Sequence, residues 1–320
     1  MGKALRLIGA AFVGLILALG VVASVNWNVF TSPGPLAESK ALTIPRGGTE
    51  AIAATLNVAG VISDARLFAI GAWWTRGEGP LRAAEFQFPA GASIRDVLTI
   101  LRDARPIQRR LTIPEGFTAR QIQALLERTD GLTGDVPALA EGAALPETYA
   151  FSWGDTRASV LRRAMTAMDQ VLADAWAARA PNLPLTAPRE ALILASIIER
   201  ETGVAGERAL VGGVFVNRLR RGMMLQSDPT VAYVPGQGMP LDRPLTRADL
   251  DQAHPFNTYR IRGLPPGPIA SPGREALRAA TRPIETEFLY FVADGTGGHA
   301  FARTLDEHNR NVARWRALGR

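Results

Sequence analysis

Apolar and polar positions along the chain fall into three regimes. From Leu7 to Val25 the sequence runs for 19 residues with no charge and Ser24 as its one polar side chain, and no charge occurs between Arg6 and Glu38. At 1.5 Å per residue a helix of this length reaches about 28 Å, close to the hydrocarbon thickness of a bilayer. The next regime is a repeat. Leu42-Thr-Ile-Pro45-Arg-Gly47-Gly-Thr49, Phe86-Gln-Phe-Pro89-Ala-Gly91-Ala-Ser93 and Leu111-Thr-Ile-Pro114-Glu-Gly116-Phe-Thr118 share one pattern. Each has an alternating triplet, Pro, Gly two residues on, a hydroxyl four residues on, and then a helix-period run ending near Leu56, Leu101 or Leu126. This pattern predicts a strand closed by Pro, a Gly turn and a helix capped by Ser or Thr. From Ala119 onward, helical periodicity predicts helices over 121–128, 158–178, 187–202 and 206–221. An ordered Pro/Gly-rich loop follows over 243–272, then a buried strand over 288–293 and a basic helix over 307–318.

Composition narrows this picture. With 320 residues and 47% hydrophobic content, the chain can bury a core and has room for about two domains. Cysteine is absent, which excludes disulfides, thiolate catalysis and Cys-based metal sites. Net charge is +6, and all but Lys3 and Lys40 of the 36 basic residues are arginine. Such a balance suits nucleic acid, anionic lipid or an acidic polymer without choosing among them. The apolar run chooses. Lys3 and Arg6 precede it, so the positive-inside rule keeps the N-terminus cytoplasmic and exports the rest, which removes nucleic acid as a partner. A cleaved signal peptide processed near Ala23 and Ser24 is the rival reading, and it sends the bulk of the chain to the same compartment.

The residues that carry chemistry lie further on. Thr186, Pro188 and Glu190 suit the start of the helix over 187–202, and Gly203 suits its end. At about 100° per residue, Glu201 falls inside the apolar stripe of that helix, while Glu199 lies at its edge. A carboxyl so placed loses water and holds its proton, as a general acid must; the alternative is a buried Glu paired with an arginine. Downstream lie Asn217 and Arg218, then Gln226-Ser227-Asp228-Pro229-Thr230 and Tyr233, and then Asn257-Thr258-Tyr259. They supply amide, hydroxyl and aromatic groups of the kind that hold a sugar ring. His254, His299 and His308 have no metal-ligand spacing, so no metal or cofactor is expected.

Ala195-Ser-Ile-Ile-Glu-Arg-Glu-Thr202, Val214-Phe-Val-Asn-Arg-Leu219, Leu225-Gln-Ser-Asp-Pro-Thr230, Asn257-Thr-Tyr259, Gly263-Leu-Pro-Pro-Gly-Pro-Ile269 and Gly298-His-x-Phe301 resemble, in order, the endolytic murein transglycosylase family (MltG, YceG-like). The resemblance runs from about residue 40 to 316. It departs at Glu141-Gly-Ala-Ala-Leu-Pro-Glu-Thr-Tyr149, where the family usually has Glu-Gly-Tyr-Leu-Phe-Pro-Asp-Thr-Tyr. The strand and capped helix of the repeat also resemble the first half of a LysM module, a small βααβ fold that binds N-acetylglucosamine polymers; a generic β-turn-α unit without a ligand is the alternative. The fold class these readings give is α+β. Residues 1–6 form a cytoplasmic tail, 7–27 a transmembrane helix, 28–41 a linker and 42–110 a LysM-like module. Residues 111–320 form a larger, mainly helical catalytic domain with a small sheet.

The family resemblance implies cleavage of the β-1,4 bond between N-acetylmuramic acid and N-acetylglucosamine inside nascent glycan strands. The products end in 1,6-anhydro-muramic acid, and glycan elongation terminates there. Glycosidases ordinarily use two carboxylates. Here the substrate's own C6 hydroxyl is the nucleophile, so one Glu serves as acid and then as base. The motif match assigns that role to Glu201, with Asn217, Gln226, Asp228, Tyr233, Asn257 and Tyr259 positioning substrate. The implied partners are peptidoglycan strands, the inner membrane through the N-terminal helix and penicillin-binding-protein synthases, with the catalytic domain in the periplasm. A muramidase using Asp228 to activate water and a non-catalytic peptidoglycan-binding scaffold remain open alternatives.

Overall fold

A computed structural model of the chain describes residues 27–236 and 238–318. The tail 1–6 and the apolar run Leu7–Val25 lie outside the described residues, and no helix among those described is long and apolar enough to cross a membrane. The chain divides into two compact units, Met1–Arg109 with Phe151–Gly154, and Arg110–Ala150 with Asp155–Arg320.

In the first unit, β1 (Lys40–Thr43), α1 (Thr49–Val58), α2 (Ala65–Trp74), β2 (Glu85–Phe88) and α3 (Ile94–Asp103) follow in order. β1 and β2 pair antiparallel with Lys40 opposite Phe88 and Thr43 opposite Glu85. Phe86 and Phe88 stand on one side of β2 and enter a core with Ile52, Leu56, Phe68, Val97 and Leu101, while Gln87 between them faces out. This is the strand periodicity of two. The helix α2 is an element that the sequence pattern does not predict; Asp64 starts it by accepting the N–H groups of Arg66 and Leu67.

The three predicted strand–turn–helix repeats differ in one detail. In the second and third, Gly91 (φ +66°) and Gly116 (φ +74°) take the left-handed turn. Ser93 and Thr118 then close capping boxes with Asp96 and Gln121, at the start of α3 and of α4 (Ala119–Glu127). In the first, Gly47 does not turn left-handed. The chain enters α1 one residue early, with extended Gly48 as the cap and Thr49 already helical, so no side chain caps it. A second small sheet pairs β3 (Gln108–Thr112) with β4 (Thr148–Ser152).

The second unit is built around α6 (Pro188–Glu201), which follows the long α5 (Arg157–Ala177). Ala191 and every residue from Ile193 to Glu199 are buried, so α6 is enclosed nearly all round. It packs against α7 (Arg208–Arg220) and α10 (Arg274–Thr281). The helices α7 and α10 approach so closely that a Cβ on Gly212 would lie 2.6 Å from the Ala279 carbonyl oxygen. β5 (Tyr290–Ala293) and β6 (His299–Ala302) form an antiparallel hairpin, and α11 (Leu305–Ala317) closes the chain.

Four local details depart from expectation. Thr186 does not cap α6: its hydroxyl donates to Glu190 at 3.0 Å, and Ala187 is the cap residue. Nor does Gly203 end α6, because Thr202 leaves the helix in extended backbone at φ −135°. The segment after Ser227 reads as a loop but forms α8 (Asp228–Gly236). Asp-Pro is an ordinary turn signal, yet a Pro at the second helical position has no intrahelical N–H partner to lose. Likewise α9 (Arg247–Asp251), closed by a Thr246–Asp249 capping box, interrupts the expected loop.

Candidate active site

The helix α6 ends on Glu201, half-buried, beside the carbonyl-rich negative end of the helix dipole. Burial pushes its carboxyl up from the ordinary 4.5 to about 7. A hydrogen bond from the Ser227 hydroxyl opposes that shift, Asp228 adds to it and Arg218 opposes it. Two residues earlier, Glu199 is buried too but fully engaged. It meets Arg208 Nη2 at 3.0 Å and accepts the Gly273 N–H at 2.8 Å. Two carboxyls on one helix thus have opposite surroundings: one charge-paired, the other without an ion pair among the described residues and poised to hold a proton near neutrality.

The Ser227 hydroxyl that meets Glu201 is set in place by other hydroxyls. Ser227 N–H donates to Thr258 Oγ1 at 2.9 Å, and Thr230 Oγ1 lies 2.8 Å from Thr258 Oγ1 and donates to the Ser227 carbonyl at 2.7 Å. All three residues are buried. Gln226 N–H also donates to the Thr258 carbonyl, at 3.1 Å. To make this turn Gln226 adopts φ +50°. An L residue in that region costs about 1 kcal/mol, and the clamp offsets it.

Arg218 underlies the same turn. Its Nε donates to the Leu289 carbonyl at 2.6 Å, and its Nη1 to Met224 O (3.2 Å), Leu225 O (2.8 Å) and Gln226 Oε1 (3.2 Å). The guanidinium lies 5.1 Å from the centre of the Tyr290 ring. One side chain therefore ties α7 to the turn and to the residue before β5. Asp228, exposed at the start of α8, accepts the Tyr259 hydroxyl at 2.6 Å. Burial foremost, then Asp228 and Glu201, push the Tyr259 phenol well above its ordinary value.

Of the residues singled out in the sequence, Glu201, Gln226, Asp228 and Tyr259 come together around Ser227 and Arg218. Tyr233 lies further along α8. Its hydroxyl donates to Glu141 Oε2 at 3.2 Å, its ring lies 5.0 Å from Phe256, and burial with Glu141 nearby pushes the phenol up to about 12. Asn217 and Asn257 have backbone partners instead. The Asn217 amide donates to Thr286 O (2.7 Å) and Phe288 O (3.1 Å). Buried Asn257 donates to Gln252 O (2.7 Å), Leu250 O (3.0 Å) and Asp249 O (3.3 Å), closing the C-terminal end of α9.

Three participants were given no catalytic or positioning role by the sequence. Ser227 and Arg218 stand inside quoted motifs, but only the fold brings the one to Glu201 and the other beneath the turn. Glu141 is the third. It opens the stretch that departs from the family pattern, accepts the Ala119 N–H at 2.8 Å, and is raised chiefly by burial.

Comparison with known proteins bears on the whole of this unit. An endolytic murein transglycosylase of Bacillus subtilis is 37% identical over 170 residues, covering 53% of this chain and 46% of that protein. One of Streptococcus pneumoniae serotype 2 is 29% identical over 319 residues, covering 84% of this chain and 57% of that protein. The chain thus spans about half the length of the curated relatives it matches. A crystal structure of a putative yceG-like protein from Listeria monocytogenes superposes with a TM-score of 0.53 at 27% identity, covering 86% of this chain and 99% of that one. The YceG-like family profile itself matches residues 42–314, so it takes in most of both units and every residue of the Glu201 cluster, and the chain belongs to the YceG-like family.

Proposed function

We propose that the chain is an endolytic peptidoglycan lytic transglycosylase, with Glu201 as its single acid–base catalyst. The observation that carries this reading is the contrast on α6: Glu199 is ion-paired with Arg208, whereas Glu201, with a pKa near 7, accepts the Ser227 hydroxyl and has an exposed Asp228 raising it and Arg218 lowering it. Protonated Glu201 donates to the bridging oxygen as the bond from C1 of N-acetylmuramic acid to O4 of N-acetylglucosamine breaks. The resulting carboxylate then takes the proton of the muramoyl C6 hydroxyl as that oxygen bonds to C1. The proton account closes on Glu201, no water is consumed, and the new end is the 1,6-anhydro sugar. Ser227 aims the carboxyl, and the Asp228–Tyr259 pair lines the place where positive charge develops at C1.

The same proposal places residues 7–27 as a single-pass inner-membrane anchor, the rest in the periplasm, nascent glycan strands as substrate and glycan termination as the outcome, with penicillin-binding-protein synthases as partners. The β1–α1–α2–β2 order with an antiparallel β1–β2 pair supports reading residues 42–110 as a LysM-like glycan-binding module ahead of a catalytic domain from residue 111.

A hydrolytic second reading has one specific observation behind it: Asp228 stands close enough to raise the Glu201 pKa, and two neighbouring carboxyls suit hydrolysis. Mass spectrometry of uncrosslinked glycan strands after digestion separates the two. Anhydro ends are expected; ends heavier by one water identify a muramidase, and uncut strands leave only a scaffold. The pH profile is a further expected result. Because Glu201 must begin protonated, kcat/KM holds below about pH 7 and falls about tenfold per pH unit above it. A rate that climbs between pH 7 and 9 contradicts Glu201 as the acid.

A further inference from the structure

The helix α2 buries Phe68, Gly71 and Ala72 towards the core of the first unit. On its other side Ile70, Trp73 and Trp74, at i, i+3 and i+4, are 60%, 62% and 76% exposed. Three large apolar side chains on one outward helical face mark a surface that meets something other than water. The helical turn over 27–31 lies against the same helix. Phe30 is buried with its ring over Gly71, where a Cβ would collide with it, and the ring of the exposed Trp27 is 5.9 Å from that of Phe30. Only Asn26 separates Trp27 from Val25, the end of the 19-residue apolar run. The turn that follows the run in sequence is therefore packed against α2 through its Gly71 side.

Charge complements the patch. Arg76 lies over the Trp73 ring at 4.6 Å and donates to the Trp73 carbonyl at 3.0 Å, and Arg66 precedes Ile70 by one turn on the same face. The nearby acids are engaged elsewhere: Asp64 caps α2, and Glu78 pairs with Arg102 at 2.9 Å. Arg102 also bonds Thr75 Oγ1 at 2.9 Å and the Gly79 carbonyl at 3.0 Å, which fixes the segment just beyond the two tryptophans.

We propose that this face of α2 docks on the lipid surface that the apolar run enters. Trp27, Ile70, Trp73 and Trp74 insert among the headgroups, and Arg66 and Arg76 meet anionic phosphates. Indole rings favour that interface because their bodies are apolar and their N–H groups reach water, and arginines there are drawn to anionic headgroups. A sugar-stacking platform is the other use of exposed Trp. Ile70 sits within this patch, and Asp64 and Glu78, the acceptors a sugar would need, already have partners. The inference rests on the membrane-anchor reading of residues 7–27 and adds a second contact to it.

The test uses the full chain in phosphatidylethanolamine–phosphatidylglycerol nanodiscs, with Trp27, Trp153, Trp176 and Trp315 each replaced by Phe so that Trp73 and Trp74 alone report. Lipids brominated on their acyl chains should quench the emission to about half. Emission unchanged by bromolipid but quenched by aqueous iodide overturns the proposal. So does emission that ignores bromolipid and responds to N-acetylglucosamine oligomers, which makes the patch a sugar platform. Should that variant misfold, the otherwise unaltered chain carrying Trp73→Phe and Trp74→Phe must lose a corresponding share of its bromolipid quenching. Flotation with liposomes tests the anchor separately. A chain that floats with Trp73 and Trp74 unquenched defeats the docking alone, and a chain that does not float defeats both.

Discussion

Glu201→Gln should lower the rate of glycan cleavage by roughly 10³–10⁴-fold. The size follows from a double loss: glutamine can neither protonate the bridging oxygen nor take the proton of the C6 hydroxyl. The change is otherwise mild, because the amide oxygen can still accept the Ser227 hydroxyl, and the volume hardly alters. Stability should move the opposite way. The Glu201 pKa is raised by folding, from the ordinary 4.5 to about 7, so the native state resists ionisation there. That penalty is absent below about pH 4.5, grows as pH rises, and is complete above about 7, where a displacement of this size amounts to about 3 kcal/mol. Glu201→Gln should therefore match the parent's melting temperature at pH 4 and exceed it at pH 8.5. Chromatography of digested strands measures the first effect and thermal denaturation at the two pH values the second. Cleavage retained within tenfold would remove Glu201 from the mechanism, whatever its pKa.

Arg218→Met should cost about 3–5 kcal/mol, one of the largest structural penalties available in the second unit. Methionine keeps much of the apolar stem, but the carbonyls of Met224, Leu225 and Leu289 lose their donor in a buried setting. For a unit of this size the melting temperature should fall by about 6–20 °C. Any surviving activity carries a signature that a general loosening does not produce. Arg218 draws the Glu201 pKa down, so its removal should move the alkaline limb of kcat/KM above 7. Arg218→Lys separates the two effects, because it keeps the charge while losing most of the bonds. A melting temperature within a degree or two of the parent's would show that the turn at 224–226 stands without Arg218.

Helix-period patterns made α6 and α7 legible, because each buries a continuous face against neighbours. The same reading placed Glu201 in the apolar stripe of that helix and left open whether it is an acid or the partner of an arginine; burial of its carboxyl is seen, and so is the burial of Glu199, which the stripe set further out. It did not find α8, because Asp228-Pro229 and Pro235-Gly236 carry turn chemistry, and their fit to a first turn and a last turn depends on what surrounds them. It also missed α2, whose outward face carries Ile70, Trp73 and Trp74 and so hides the polar alternation of an ordinary surface helix. The partners of Glu201 were out of reach for a different reason. Ser227 meets it across 26 residues, and the Ser227–Thr258 bond spans 31. Periodicity reports faces of one element and is silent on which distant loop will face it. The amides of Asn217 and Asn257 illustrate the same limit, since nothing local told a carbonyl-bonding amide from a sugar-bonding one.

The hydroxyl clamp of Ser227, Thr230 and Thr258 has a consequence for the conditions this protein can tolerate. None of the three groups ionises at physiological pH, and all are sealed from solvent. Ionic strength, which screens exposed charges beyond a Debye length of about 8 Å, has no charge in the clamp to act on. Salt and acidity can change abruptly around an enzyme placed, as proposed, outside the inner membrane. Under such swings the aim of Glu201 stays fixed, and acidity reaches the chemistry chiefly through the carboxyl's own proton.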